Sequence, residues 1–442
     1  MDEQNINNQQ IDESSSEPTQ SAPEEVSGKT EELKAGKEKE EPAVVLQVGG
    51  SFVLIDETGN EIESGGAKFI LDEEKISVLS EDGKATLLFL KDIGDFFVQD
   101  YKINLSLFGG GKAIISELGY QHEDFVKALT KLRHEIIQKN LLMQEGGKKA
   151  GFRGNYDYQK DGEKRNGGAE IEIYDTGLVI KPEQGDLIRI PFAEIADFFE
   201  KDYNISIITE FATLSLFHFG EKFDSLSRAL KEALNALSLR TQSILKELLP
   251  ELNPLVIKRA SEFLRDGRAV SKDEIDKISP QIWQNLEKKL TALNIKESYD
   301  FLRSLSKTEQ VFIGVKRDLM GELTGEYIWF LVPVSSKKGG NFLAMEAAST
   351  IEGGGKATYF FKIPEGEYAG DLVKKINHCM LAINFRREPI YLSDEDLEKP
   401  DYSKYKIAIA GIPELKILRQ LFVGRVVHQE NWKENVNNLI KI

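Results

Sequence analysis

Cysteine is nearly absent: Cys379 is the only one in 442 residues. No intrachain disulfide can form, and a zinc site built from cysteines is excluded. The chain also lacks an apolar leader, since it opens MDEQNINNQQ. No run of about 18 apolar residues, the length a spanning helix needs, occurs anywhere. These absences predict a soluble, cytoplasmic protein with no transmembrane segment. Positive charge is in deficit as well, with 57 Lys and Arg against 73 Asp and Glu, a net charge of −16. That balance works against unspecific binding to nucleic acid or anionic lipid.

Half of the excess negative charge lies in residues 1–42, which carry 12 acidic and 4 basic side chains and almost no large apolar one. Such a segment cannot bury enough surface to offset the entropy of ordering, so a disordered acidic tail is expected.

Several chemical signatures are missing. The phosphate loop needs G-x-x-x-x-G-K-[ST], but in Gly109-Gly110-Gly111-Lys112 and Gly353-Gly354-Gly355-Lys356 the lysine is followed by Ala113 or Ala357. Both segments read as glycine-rich hairpin turns. His122, His134, His218, His378 and His428 are scattered without the close spacing of a hydrolytic zinc helix. His378 and Cys379 are neighbours on a predicted helix and point about 100° apart, so they do not form a thiol and base pair. No catalytic residue, metal or cofactor follows from the sequence.

What is present is a repeat. With a shift of 102 residues, Ile93–Ile103 lies on Ile195–Ile205 with seven identities in eleven positions. The same shift brings Gly83 onto Gly185, Phe69 and Leu71 onto Ile171 and Ile173, and Ile76 and Val78 onto Leu178 and Ile180. Short alternating runs cut by turn clusters, such as Glu170–Tyr174 before Asp175-Thr176-Gly177, read as antiparallel meanders of about seven strands. Each copy then changes period: Phe125, Leu129, Leu132 and Ile136, and later Phe223, Leu226, Leu230, Leu234 and Leu237, follow helical spacing. The duplicated Asp95/Asp197 and Asp100/Asp202 are read as turn-fixing residues rather than as a general acid and base.

The expected fold class is α+β. Its parts are a first module at 43–145, a second at 146–240, a helical block at 241–306 and an α+β domain at 307–390. For that domain a divergent third module is the alternative, and a helical arm at 391–442 follows. Helices are expected near 254–266, 272–293, 296–305, 413–422 and 430–440.

About seven strands closed by one helix in roughly 100 residues resembles the pleckstrin-homology-like fold. Asp175–Phe198 and Ile383–Leu397 also resemble sequences found in bacteria. The resemblance implies inositol phosphate binding by basic residues at the first hairpin of a module. Asp56–Glu63 is acidic there, however, and Lys160, Lys164 and Arg165 of the second copy are followed by Glu170 and Glu172, which argues against a phosphoinositide partner.

One basic cluster remains: Arg386, Arg387, Lys416, Arg419 and Arg425, a candidate anion-binding surface because guanidinium forks suit carboxylate or phosphate. Three functions are weighed: a non-catalytic scaffold holding a protein or peptide partner, a phosphate or nucleic-acid binder through these arginines, and an enzyme whose site is assembled between domains. The first is preferred, because no stretch carries a spacing that chemistry requires.

Overall fold

The computed structural model describes residues 43–108, 110–140, 147–317, 326–336, 339–349, 357–399, 401–402 and 404–441. The tail at 1–42 and the segment Gly353–Lys356 lie outside the described residues.

Alternation of apolar and polar residues builds the first copy. Its strands are β1 (Val44–Ile55), β2 (Glu61–Asp72), β3 (Lys75–Ser80), β4 (Ala85–Phe89), β5 (Ile93–Gln99), β6 (Lys102–Leu107) and β7 (Lys112–Ser116), followed by helix α1 (His122–Asn140). Inward positions such as Phe69, Leu71, Ile76, Val78, Ile103 and Ile115 form one core with Phe125 and Leu129 of α1. The rings of Phe69 and Phe125 meet edge-on at 6.3 Å.

The second copy repeats this with β8 (Ala150–Lys160), β9 (Glu163–Ile173), β10 (Gly177–Pro182), β11 (Ile188–Pro191), β12 (Ile195–Lys201), β13 (Asn204–Thr209), β14 (Ala212–Phe217) and α2 (Phe223–Leu248). Both sheets are antiparallel, and their strand orders, β4-β3-β2-β1-β7-β6-β5 and β11-β10-β9-β8-β14-β13-β12, are the same. The class is α+β, with one sheet curled into a half-barrel.

Turn chemistry is duplicated with the strands. Asp100-Tyr101 and Asp202-Tyr203 join β5 to β6 and β12 to β13, and all four residues have positive φ, between 49° and 59°. Two-residue hairpins of this kind match the twist of the strands they join, and Asp tolerates the left-handed region. Asp95 and Asp197 each follow a register shift in the edge strand. Asp197 Oδ1 accepts from its neighbour Phe198 N at 2.8 Å.

The third sheet is different. Its strands are β15 (Val270–Ser271), β16 (Phe312–Arg317), β17 (Glu326–Ser335), β18 (Asn341–Ser349), β19 (Ala357–Lys362) and β20 (Phe422–Val427), paired in chain order. The sequence pattern of sheet first and helix after is present, without the strand order of the first two sheets.

Helices cover both faces of this sheet. Ile244, Leu245 and Leu248 of α2 share a core with Ile313, Phe330, Val332 and Phe360, as do α3 (Pro254–Phe263), α4 (Lys272–Asp276), α5 (Pro280–Ala292) and α6 (Lys296–Ser304). The opposite face packs on α7 (Ala369–Ala382), α8 (Glu388–Tyr391), α10 (Lys404–Gly411) and α11 (Pro413–Leu421); α9 (Asp394–Leu397) lies between α8 and α10 in the chain. Burial on two sides explains why β16 and β19 show no alternation of buried and exposed positions.

Residues 241–306 are therefore one layer of this sandwich rather than a separate spacer. The C-terminal arm is also part of it: β20 pairs with β19, and α12 (Trp432–Ile440) joins the first face through Trp432, Val436 and Ile440. The helix expected over 272–293 is two helices. Pro280 cannot continue a helix, and Ser279 instead caps a new one by accepting from Gln281 N.

Gly314 is a point of close approach in this sheet. It lies opposite Trp329 across β16 and β17. The Trp329 indole Nε1 passes over it to donate to Gly267 O at 2.6 Å. A Cβ at Gly314 would overlap both the indole nitrogen and that carbonyl. Gly314→Ala is expected to lose about 1–3 kcal/mol, read as a lowered urea midpoint; an unchanged midpoint would show that the indole has room to move.

Candidate functional site

The two copies and the third sheet meet around a small apolar knot of Ile137, Tyr174, Val179, Leu187 and Ile407. Beside it opens a cavity of about 770 Å³ walled by all three parts. Five of the ten Asp, Glu, Lys, Arg and His residues in its lining, Arg133, Lys160, Asp186, Arg189 and His378, bond across those parts.

Arg133 of α1 is the central contact between the copies. Its side chain is 1% exposed and pairs with Asp186 at 2.6 Å. The same guanidinium donates to Leu90 O at 2.8 Å and Ile93 O at 2.7 Å. The next residue, His134, bonds Gly185 O at 2.8 Å; desolvation keeps its imidazole below the usual range. Gly185 is the turn glycine of the repeat, with φ 89°. One turn further along α1, Gln138 reaches the Tyr174 hydroxyl and Glu172. Burial alone would raise the Glu172 carboxyl, but Lys148, Lys181 and Tyr174 bring it down to about 2.

His378 of α7 joins the second copy to the third part. Its Nδ1 lies 2.7 Å from Glu194 Oε1 and its Nε2 3.4 Å from Glu414 Oε2. With a carboxylate at each ring nitrogen, only the doubly protonated imidazolium donates to both. Desolvation opposes that charge, yet Glu194 and Glu414 outweigh it and lift the pKa to about 9. Glu414 also receives Lys160 at 2.7 Å. Burial works against its charge too, and His378 and Lys160 overcome it, bringing the carboxyl to about 2. The Phe211 ring lies 4.8 Å from the imidazole. Cys379 is fully buried, and its desolvated thiol is pushed well above its ordinary value. Near neutral pH the raised pKa of His378 keeps its imidazole charged and the buried Cys379 thiol stays protonated, which suits neither for work as base or nucleophile there.

Asp95, Arg165 and Lys416 also line the cavity. Protein surrounds the Asp95 carboxyl although water reaches it through the cavity, so desolvation and then Asp186 raise its pKa. Among the described residues no group of His, Cys, Asp and Glu is placed to hold a metal ion.

The five basic residues singled out in the sequence do not form one surface. Arg419 is structural: it donates to Pro389 O at 2.8 Å and pairs with Asp394 at 2.7 Å. Arg386 bonds the Tyr405 hydroxyl. Lys416 faces the junction cavity. Only Arg387 and Arg425 come together, on a tyrosine platform. The Arg387 guanidinium lies 5.5 Å from the Tyr359 ring centre, and that of Arg425 lies 4.3 Å from Tyr391. The two rings are 6.0 Å apart.

Lys164 pairs with Asp157 at 2.9 Å, Lys160 with Glu414 at 2.7 Å and Arg165 with Glu163 at 4.0 Å, so all three basic residues of the first hairpin in copy two have carboxylate partners within the chain. Sequence reasoning missed the His378 cluster because Lys160, Glu194, His378 and Glu414 come from four distant segments. No local signal marked it, because His378 shares a helix face with Asp371, Lys374 and Lys375, where a solvated side chain is the ordinary reading.

The fold and its junction define an α+β protein in which two seven-stranded antiparallel sheets of the same strand order meet a helix-covered third sheet. No known family matches the chain, and a search of curated proteins finds no match.

Proposed function

We propose that this is a non-catalytic scaffold that holds a protein or peptide partner, built on tandem pleckstrin-homology-like modules. The observation that carries the reading is a duplicated exposed aromatic pair. Phe96 and Phe198 turn toward the two cores, while the next residues, Phe97 and Phe199, are 50% and 46% exposed. On the same hairpins Tyr101 and Tyr203 are 79% and 76% exposed. Each touches the first residue of the covering helix edge-on, His122 at 5.5 Å and Phe223 at 5.4 Å. Rigid aromatic side chains in water at matching places suit recognition of a partner surface. The half-barrel curl and the covering helix support the module assignment. The commitment of the junction charges to one another favours this reading over an enzyme assembled between domains.

The test is affinity capture from lysate of the source cells, comparing the full chain with Phe97→Ser, Tyr101→Ser, Phe199→Ser and Tyr203→Ser combined. These exposed positions should leave the far-UV CD spectrum unchanged. Expected is a defined set of proteins held by the parent and lost from the variant. Equal capture by both forms, or no partner held by either, rejects the reading.

A further inference from the structure

Resting on the interaction reading but using a different surface, we propose that the third sheet carries a docking site for an extended acidic peptide with one apolar anchor side chain. The site joins the arginine and tyrosine platform to a neighbouring apolar pocket.

Three observations converge on it. First, neither Arg387 nor Arg425 makes an ion pair among the described residues, although both are held in place, Arg387 over Tyr359 and Arg425 by stacking on Tyr391 and bonding its hydroxyl. Pre-oriented guanidinium groups without a carboxylate partner are matched to one supplied from outside. Glu388 also acts on Tyr391, adding to the desolvation that raises that phenol.

Second, a pocket opens beside Arg387 and Tyr359, lined by Trp329, Met345, Met380 and Phe385. Its floor is fixed, because Trp329 is tied to Gly267 O and meets Phe385 edge-on at 5.6 Å. Lys316 at its edge is neutralised by Asp266. The free space is about 30 Å³. That is room for about one or two waters, the size of a branched aliphatic side-chain tip and too small for a nucleobase or a whole metabolite.

Third, Arg425 lies on β20, directly across from Tyr359 on β19. β20 ends the strand order of its sheet, so no further strand pairs beyond it among the described residues. An edge strand offers backbone donors and acceptors to an extended peptide, while a side-chain pocket and fixed charges supply specificity. The net charge of −16 opposes nucleic acid and acidic peptides alike, so attraction must come from the two local guanidinium groups, and the small pocket selects a side-chain tip over a nucleobase.

The experiment is fluorescence anisotropy with the full chain and a fluorescein-labelled pentapeptide, one leucine flanked by two aspartates on each side. Controls are the same peptide with glycine for leucine, one with lysines for aspartates, and a labelled oligothymidylate. Expected is saturable binding of the leucine and aspartate peptide, about tenfold weaker for each of Arg387→Gln and Arg425→Gln. Affinity should fall with salt, and it should weaken when Ala347, which also lines the pocket, is replaced in Ala347→Leu. Arg387→Lys should recover only part of the loss, because an ammonium cannot form the fork.

No saturable binding, equal binding of the lysine peptide, or Arg387→Gln and Arg425→Gln without effect overturns the proposal. Tighter binding of the oligothymidylate, lost in the arginine variants, overturns it in favour of nucleic acid. Lysate capture that depends on Phe97, Tyr101, Phe199 and Tyr203 would survive any of these failures, so the two readings fail separately.

Discussion

Arg133→Met is expected to destabilise the protein by about 3–5 kcal/mol, the usual cost of removing one partner from a buried ion pair. The substitution strands three groups at once: the Asp186 carboxylate and the carbonyls of Leu90 and Ile93, all of which bond this guanidinium. Removing the acid too, in Arg133→Met with Asp186→Leu, should recover only part of the loss, because the carbonyls stay unsatisfied. Urea unfolding offers two readouts. Trp283, Trp329 and Trp432 all belong to the third part of the chain, so tryptophan fluorescence follows that part while far-UV CD follows the whole. If Arg133 fixes the copies to each other, the CD transition of the variant should run ahead of the fluorescence transition. Coincident curves shifted by less than about 1 kcal/mol would place the junction's strength elsewhere.

The second large effect is one of pH. The His378 imidazole has a folded pKa of about 9 against an ordinary value of 6.5. A raised pKa stabilises the fold while the group is protonated in both states, so the contribution is complete below pH 6.5. It is lost as pH climbs from 6.5 through 9. The size of the shift corresponds to about 3 kcal/mol. Glu414 and Glu172 carry the opposite sign. Both are lowered from 4.5 to about 2, so their contributions are present above pH 4.5 and fade as pH falls toward 2. Stability should therefore be greatest between about pH 4.5 and 6.5. Urea midpoints from pH 6 to pH 9.5 should fall for the parent, whereas His378→Gln should start lower and stay nearly flat. A parent whose midpoint holds steady across that range would remove the imidazolium from the junction.

Local chemistry made the two copies legible. Alternation, turn residues and the change to helical spacing sit within stretches of about ten residues, and the shift of 102 aligned all three. Phe96 beside Phe97 shows how far that goes: period two assigns one ring to the core and the other to solvent. The third sheet was harder to read because burial on both faces erases alternation, as in Val311–Val315 and Ala357–Phe361. β20 was missed because Phe422-Val423-Gly424-Arg425-Val426-Val427 follows a helix directly and is too short to show a period. The arginine cluster was half legible. Sequence proximity grouped five cations, but whether a guanidinium is consumed by a carbonyl, as in Arg419, or stacked on a tyrosine, as in Arg387, depends on chain segments far from it. The junction charges were illegible for the same reason: Lys160, Glu194, His378 and Glu414 acquire their meaning only from one another.

Helix α2 is 26 residues long where α1 is 19. Leu226 and Leu230 near its start belong to the second copy, and Leu245 and Leu248 near its end to the third sheet. No hinge interrupts it, so a tilt of the second copy turns the third sheet with it, as an axle turns two wheels. Among the described residues the first sheet has no such shaft. Its described hold on the second copy runs through side chains of α1, Arg133 to Asp186, His134 to Gly185 O and Gln138 to Tyr174, so a tilt of the second copy reaches it through those contacts.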